Sequence, residues 1–316
     1  MPNILIIKMS SLGDVVHNLP VVADIHEHVG NAHVDWVVEE NFAKIPSWHK
    51  GVHRVLPIAL RRWRKTPGLL LRELKAFKAS LASTNYDFIV DSQGLIKSAM
   101  VAKLARGKCY GFTANTAREP LSALFYKQTY EIARQQHAVV RNRELFAAVF
   151  GYNLTAPANF GVQAPTPDAP WLPQRPYAIL LHACSAAKKM WGEDNWIALG
   201  KALYEHGVIS ILPGGNPQEL ALSQYLAEQI PQALAPPWQD LRVWARVLAQ
   251  AKLVVGVDTG LTHLAAALRT PVVAIYGATD PALTGVYDQG NQINIGSQSA
   301  FPSMAEVLAA VTPKLA

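Results

Sequence analysis

The stretch from Lys252 to Pro281 constrains the fold of this chain more than any other. Two short runs rich in β-branched residues, Leu253–Val257 and Val272–Tyr276, lack polar alternation, as strands buried on both faces of a parallel sheet do. Between them Leu261, Leu264, Ala265 and Leu268 recur at helical spacing, which predicts strand, turn, helix, strand. The turn is Asp258-Thr259-Gly260: the first two are helix-capping types, and the glycine lets a ligand approach the backbone. A helix that begins at the carboxyl end of a parallel strand aims free N–H groups and a positive dipole end into the crevice, which suits an anion. His263, four residues after Thr259, falls on the same helix face one turn deeper. A second polar turn, Tyr276–Pro281, closes the next strand at the same edge. Two readings stand at this point, an ordinary capped βαβ crossover and a cradle for a diphosphate.

At 316 residues the chain is long enough for two domains of ordinary size, and with 50% hydrophobic residues it has ample core material. No apolar run approaches the ~20 residues of a transmembrane helix. The N-terminus enters a strand at Asn3 with no cleavable signal pattern, so a cytoplasmic location is expected. Cys109 and Cys184 make neither a disulfide framework nor a zinc site. Charge is uneven: residues 1–160 carry 20 Lys and Arg against 12 Asp and Glu, net +8, whereas residues 161–316 carry 9 against 11, net −2. A negatively charged partner should therefore dock on the first half, be it nucleic acid, an anionic membrane surface or an acidic small molecule.

In the first half, the strand Asn3–Lys8 is followed by the small and hydroxylated loop Met9-Ser10-Ser11-Leu12-Gly13-Asp14 and a helix expected from Val15 to about His28. This loop lacks G-x-G-x-x-G, which argues against a dinucleotide there. Asp14 falls at the first helical turn, as a cap or as a crevice carboxylate. Strands are expected at Val34–Val38, Val52–Ile58 and Tyr86–Asp91, and a helix at about Leu69–Leu81. The run Arg61-Arg62-Trp63-Arg64-Lys65 leaves the third strand; it is either a solvated face or loop turn, or a site for carboxylates and phosphates. The loop Asp91–Lys97 and the segments Thr116–Pro120 and Gln135–His137 add polar groups, and the helix His137–Phe150 carries Arg141 and Arg143.

Prolines at 157, 165, 167, 170, 173 and 176 mark a linker near the middle of the chain. The second half restarts with strand Tyr177–His182, the loop Ala183–Trp191 with Ser185, Lys188 and Lys189, and a helix Asp194–Glu205. Strand Gly207–Leu212 leads through Pro213-Gly214-Gly215-Asn216 to a helix with Glu219 in its first turn, which either holds ribose hydroxyls or simply favours the helix dipole. Gln239–Gln250 and Met304–Val311 read as helices, and the latter is a candidate to cross back to the first domain.

The run Val-Asp-Thr-Gly-Leu-Thr-His-Leu-Ala-Ala-Ala from Val257 resembles the donor-site signature of the ADP-heptose:lipopolysaccharide heptosyltransferases. The likeness extends over nearly the whole chain, through Lys-Met-Ser-Ser-Leu-Gly-Asp at 8–14, Trp-Val-Val-Glu-Glu at 36–40, the basic run at 61–65 and Thr-Ala-Arg-Glu-Pro at 116–120. It implies an α/β chain of two Rossmann-like domains facing across a cleft, the GT-B architecture. Residues 1–160 would bind the acceptor, residues 161–300 the nucleotide sugar, and residues 301–316 would form the terminal helix. It further implies transfer of L-glycero-D-manno-heptose from ADP-heptose to Kdo2-lipid A with inversion at the anomeric carbon. The basic run favours the first-acting members over later-acting relatives, because their acceptor presents Kdo carboxylates.

Carried over by residue, the resemblance implies Asp14 as general base, and Lys189 on the leaving diphosphate. Ser185, Glu219, Asp258, Thr259, Gly260 and His263 would complete the donor site, and Ser10, Ser11, Arg61, Arg62, Arg64, Lys97 and Arg118 the acceptor site. A base on the acceptor side suits attack by a hydroxyl on an oxocarbenium-like centre. No Asp-x-Asp occurs, so no metal site and no cofactor are expected; a helix N-terminus and cations would meet the diphosphate instead. Cys184-Ser185 stands where hydroxyl residues are expected, and spacing to Trp191 selects Lys189 over Lys188. His17 either supports Asp14 or lies on a plain helix face. The expected setting is a monomer held reversibly on the cytoplasmic face of a Gram-negative inner membrane, with no nucleic acid. Alternatives are a later-acting heptosyltransferase, a sugar-nucleotide epimerase of related form, which the basic cluster disfavours, and a basic protein binding nucleic acid or lipid.

Overall fold

The structure is a computed structural model, and it describes residues 1–66, 68, 70–184, 186–287 and 289–315. The chain forms two compact units, Met1–Gln163 and Ala164–Ala316. Among the described residues the first unit holds strands β1 (Asn3–Ile7), β2 (His33–Glu39), β3 (Val52–Ile58), β4 (Asn85–Asp91), β5 (Arg106–Phe112) and β6 (Gln128–Tyr130). Its helices are α1 (Leu12–Val16), α2 (Pro20–His28), α3 (Lys44–Ser47), α4 (Leu60–Lys65), α5 (Leu70–Ala82), α6 (Ile96–Ala102) and α7 (Ala138–Phe150). The six strands pair in parallel in the order β3-β2-β1-β4-β5-β6, the doubly wound order. Strand order reverses between β1 and β4, so the loops after these two strands flank the crevice where such sheets take ligands. Leu5, Ile7, Val37, Ile58, Trp63, Phe77 and Ile89 are among the buried side chains of one core cluster.

The second unit holds β7 (Tyr177–Leu181), β8 (Ile209–Ile211), β9 (Leu253–Val257), β10 (Val272–Tyr276) and β11 (Gln292–Gly296). Helices α8 (Glu193–Glu205), α9 (Pro217–Gln229), α10 (Leu241–Gln250), α11 (Gly260–Ala267), α12 (Pro281–Thr284) and α13 (Met304–Val311) accompany them. These strands are also parallel, in the order β11-β10-β9-β7-β8, with the reversal between β7 and β9. The unpolar runs that predict buried strands are fully buried in β9 and β10. The loop carrying Lys189 follows β7 and the turn carrying Asp258 follows β9, so both flank this second switch point.

The structure departs from the sequence reading in several elements. The expected helix from Val15 to His28 is two helices, because Pro20 has no N–H to give the Val16 carbonyl and its ring crowds that carbonyl. Strands β5 and β6 were not anticipated: β5 contains Arg106, Gly107, Lys108 and Gly111 and shows neither alternation nor an apolar run. The basic run is not a loop but helix α4. The start of the proline-rich stretch belongs to the first unit, where Gln163 N–H donates to the Trp48 carbonyl (3.1 Å) and Phe160 is buried. Helix α13 packs on α8, β10 and β11 of the second unit, with Val307 and Val311 in that core.

Candidate active site

In the first unit, the loop after β1 is fixed by the loop after β4. The Gln93 Oε1 accepts from Met9 N–H (2.7 Å) and its Nε2 donates to the Ser10 carbonyl (2.9 Å). Gln93 is itself held by Asp91, whose Oδ1 accepts from the Gln93 and Gly94 N–H groups while Oδ2 accepts from the Ser98 and Tyr126 hydroxyls. Burial raises the Asp91 carboxyl above its ordinary value against these donors. Lys8 is buried, its ammonium on the Ser92 carbonyl (2.9 Å) and Asn142 Oδ1 (3.4 Å). Burial lowers its pKa, while Asp14 and Asp91 pull the other way.

Asp14 closes a capping box at the head of α1. Its Oδ2 accepts from the Ser11 N–H (2.8 Å) and the Ser11 hydroxyl (2.9 Å). The helix-cap reading of Asp14 is therefore realised, and both contacts fall on one carboxylate oxygen. His17 is buried against the His137 ring (5.3 Å between centroids).

The basic run divides by side chain. Glu39, whose N–H donates to the Met9 carbonyl (3.0 Å), accepts from the Arg61 N–H (3.0 Å), so α4 begins beside the loop that carries Asp14. Arg61 and Arg64 are exposed, with Arg61 over the Phe42 ring at 5.2 Å. Arg62 instead binds Glu40 bidentately (2.9 Å each) and Glu73 (2.8 Å), so its guanidinium is already taken by two carboxylates of its own domain. Lys97, at the start of α6, and Arg118 are exposed. Arg143, read from sequence as one more cation of the basic half, is buried on Asp24 (2.8 and 2.9 Å) and ties α7 to α2. Arg141 donates to the Thr116 carbonyl and lies 4.3 Å over the Phe112 ring.

In the second unit the side chains expected for a diphosphate converge on one carboxylate. Asp258 Oδ2 accepts from Lys189 Nζ (2.5 Å) and the Thr279 hydroxyl (2.7 Å), and its Oδ1 faces His263 Nε2 at 3.2 Å. Burial alone would raise the Asp258 carboxyl, but His263, Lys189 and Thr279 outweigh it and hold it well below the usual carboxylate range. Lys189 is half-buried on Asp258, and Lys188 is exposed. Thr259 is the N-cap of α11 and Gly260 its first residue, so the helix N-terminus lies at the same point, with the Thr262 and His263 N–H groups already on the Thr259 carbonyl (3.1 and 3.4 Å). Ser185 lies outside the described residues. Glu219 accepts from the Gly215 N–H (2.8 Å) at the head of α9, as a turn-closing residue does. Below this edge, His182 is buried on the Ser223 hydroxyl (3.1 Å), and burial pushes its pKa down to about 4. Among the described residues, no three His, Cys, Asp or Glu side chains gather to hold a metal ion.

Residues 74–308 match glycosyltransferase family 9 (heptosyltransferase). The chain belongs to this family. Lipopolysaccharide heptosyltransferase 1 of Escherichia coli (strain K12) is 43% identical over 323 residues, which cover 96% of this chain and 99% of that protein. The E. coli heptosyltransferase WaaC solved with ADP aligns with a TM-score of 0.90 at 41% identity, covering 99% of each chain. The same enzyme solved with ADP-2-deoxy-2-fluoro heptose gives 0.87 at 40% identity, covering 98% of this chain and 99% of that one. The two parallel α/β domains are thus those of a GT-B heptosyltransferase. Against that background, Thr279 and Gln93 are the residues sequence reasoning passed over. Each was visible only as part of a polar turn at the right sheet edge.

Proposed function

We propose that this family 9 heptosyltransferase moves L-glycero-D-manno-heptose from ADP-heptose to Kdo2-lipid A, with inversion. The observation that carries the reading is the Lys189–Asp258 pair at the head of α11: a cation and a helix N-terminus at a switch point suit a leaving diphosphate. The names of the full-length relatives support the sugar and the first-acting position. On donor binding, Lys189 would exchange its bond to Asp258 for one to the diphosphate, and Asp258 and His263 would then orient the heptose. Thr259 and Gly260 offer backbone N–H groups to the phosphates, and Glu219 the ribose contact. No metal is required for this charge balance, because the lysine and helix dipole supply the positive charge.

On the acceptor side, Asp14 is the general base that takes the proton of the attacking Kdo hydroxyl through the oxygen that Ser11 leaves uncontacted. Ser10 and Ser11 line its loop. Arg61 and Arg64 present cations for the Kdo carboxylates, with Lys97 and Arg118 assisting, and Arg62 acts by fixing α4 on Glu40 and Glu73. The enzyme works as a monomer held peripherally on the cytoplasmic face of the inner membrane. The test is transfer from ADP-heptose to Kdo2-lipid A by wild type and Asp14→Asn. We expect the variant to bind ADP-heptose unchanged and to lose about 10²–10⁴ in kcat. Retained turnover would reduce Asp14 to a helix cap, and a wild type that binds ADP without transfer would point to a later core acceptor.

A further inference from the structure

We propose that Met100, Leu121 and Leu124, with the cations around them, form the face by which the first domain docks on an anionic phospholipid bilayer. Scattered exposed apolar side chains need no explanation, but these three stand on two elements that pack against each other. Leu121 and Leu124 are 60% and 80% exposed on the 3-10 helix Pro120–Phe125. Side chains three apart eclipse in such a helix, so both project from one side. Their neighbours turn inward: Ser122 is buried and the Tyr126 hydroxyl donates to Asp91 (2.8 Å). Helix α6 packs against this 3-10 helix and carries Met100, 56% exposed.

Exposed cations frame this apolar face. Lys97 and Lys103 lie three residues on either side of Met100 along α6, and Arg118 and Lys127 bracket the 3-10 helix in sequence. The acid of this run, Glu119, has its carboxylate on the Ile96 N–H (2.7 Å). An apolar tip ringed by lysine and arginine matches a bilayer whose surface is anionic, where insertion and charge each contribute and neither suffices alone. It fits a protein in which, among the described residues, no helix is long and apolar enough to cross a membrane. The face is also continuous with the loop of Asp14. The Glu119 N–H donates to the Gly94 carbonyl (2.9 Å), and Gln93 bonds the Ser10 carbonyl (2.9 Å). Resting on the proposed function for its purpose, this face would let a lipid-anchored acceptor keep its acyl chains in the bilayer while its sugar reaches Asp14.

The test is flotation of the full chain with vesicles of phosphatidylethanolamine and phosphatidylglycerol, and with vesicles of phosphatidylcholine alone. Two double variants avoid the acceptor and donor residues: Leu121→Ser with Leu124→Ser, and Lys103→Gln with Lys127→Gln. All four side chains are exposed, so the core is unaltered, and thermal unfolding checks this. Wild type should favour the anionic vesicles, and each variant should lose about tenfold or more of that binding. Transfer to acceptor in detergent micelles should be unchanged, while transfer to vesicle-embedded acceptor falls. Equal binding to both vesicle types, unchanged binding by both variants, or a solution dimer that the leucine variant dissociates would overturn the proposal. Loss of vesicle binding in the variants of a protein that transfers no heptose would leave the face standing and remove the proposed function. Normal transfer with unaltered binding would do the reverse.

Discussion

Asp258 gathers Lys189, Thr279 and His263 onto one half-buried carboxylate, and that arrangement carries two predictions. Lys189 is half-buried and committed to the site whereas Lys188 faces solvent. Isothermal titration with ADP should show Lys189→Ala weakened by about tenfold or more and Lys188→Ala within about twofold of wild type. The second prediction concerns pH. Because the folded chain holds Asp258 well below the usual range, the unfolded chain takes up that proton first as pH falls. The network's stabilisation is therefore complete above the ordinary carboxylate range and is lost progressively below about pH 4. Urea midpoints between about pH 5 and pH 3 should fall more steeply for wild type than for Asp258→Asn, and parallel curves would show that the network adds nothing. Spacing to Trp191 pointed to Lys189 in the sequence, and Lys189 is the lysine that bonds Asp258. Thr279 was not selected, because the bond it makes spans 21 residues and depends on how β10 aligns with β9.

At the scale of the element, a charge count does not say which cations are free. Arg143 and Asp24 form a buried, bidentate pair between α7 and α2, and Arg143 also donates to the Ala156 carbonyl (2.9 Å). Breaking such a pair leaves an uncompensated buried charge, so Arg143→Ala should cost about 3–5 kcal/mol in chemical denaturation. Asp24→Leu with Arg143→Met should recover most of that loss, since a well-packed apolar pair replaces the ions. Arg62 was likewise read as available and is held by Glu40 and Glu73. The elements themselves were legible where a strong pattern marks them, as in β9, α11 and β10. They were not where glycine and charge interrupt the pattern, as in β5, or where one proline divides a continuous apolar periodicity, as between α1 and α2.

At the scale of the whole molecule, residues 1–160 are net +8 and residues 161–316 net −2, so on the proposed function the two substrates would meet different electrostatics. The candidate acceptor cations Arg61, Arg64, Lys97 and Arg118 are exposed, so salt screens them within roughly a Debye length, about 10 Å at 0.1 M. On the same proposal, Lys189 and the half-buried groups around it would meet the diphosphate at short range, in surroundings where salt intervenes less. The two Michaelis constants should therefore respond differently to ionic strength. Raising salt from about 0.05 M to about 0.5 M should increase the KM for a detergent-dispersed acceptor several-fold, with the KM for ADP-heptose within about twofold. A variant carrying Arg61→Gln and Arg64→Gln should begin with a raised acceptor KM and lose most of its salt dependence. Equal salt slopes for both substrates would mean that the basic half attracts something other than the acceptor, and the variant's unchanged slope would place the attraction outside α4.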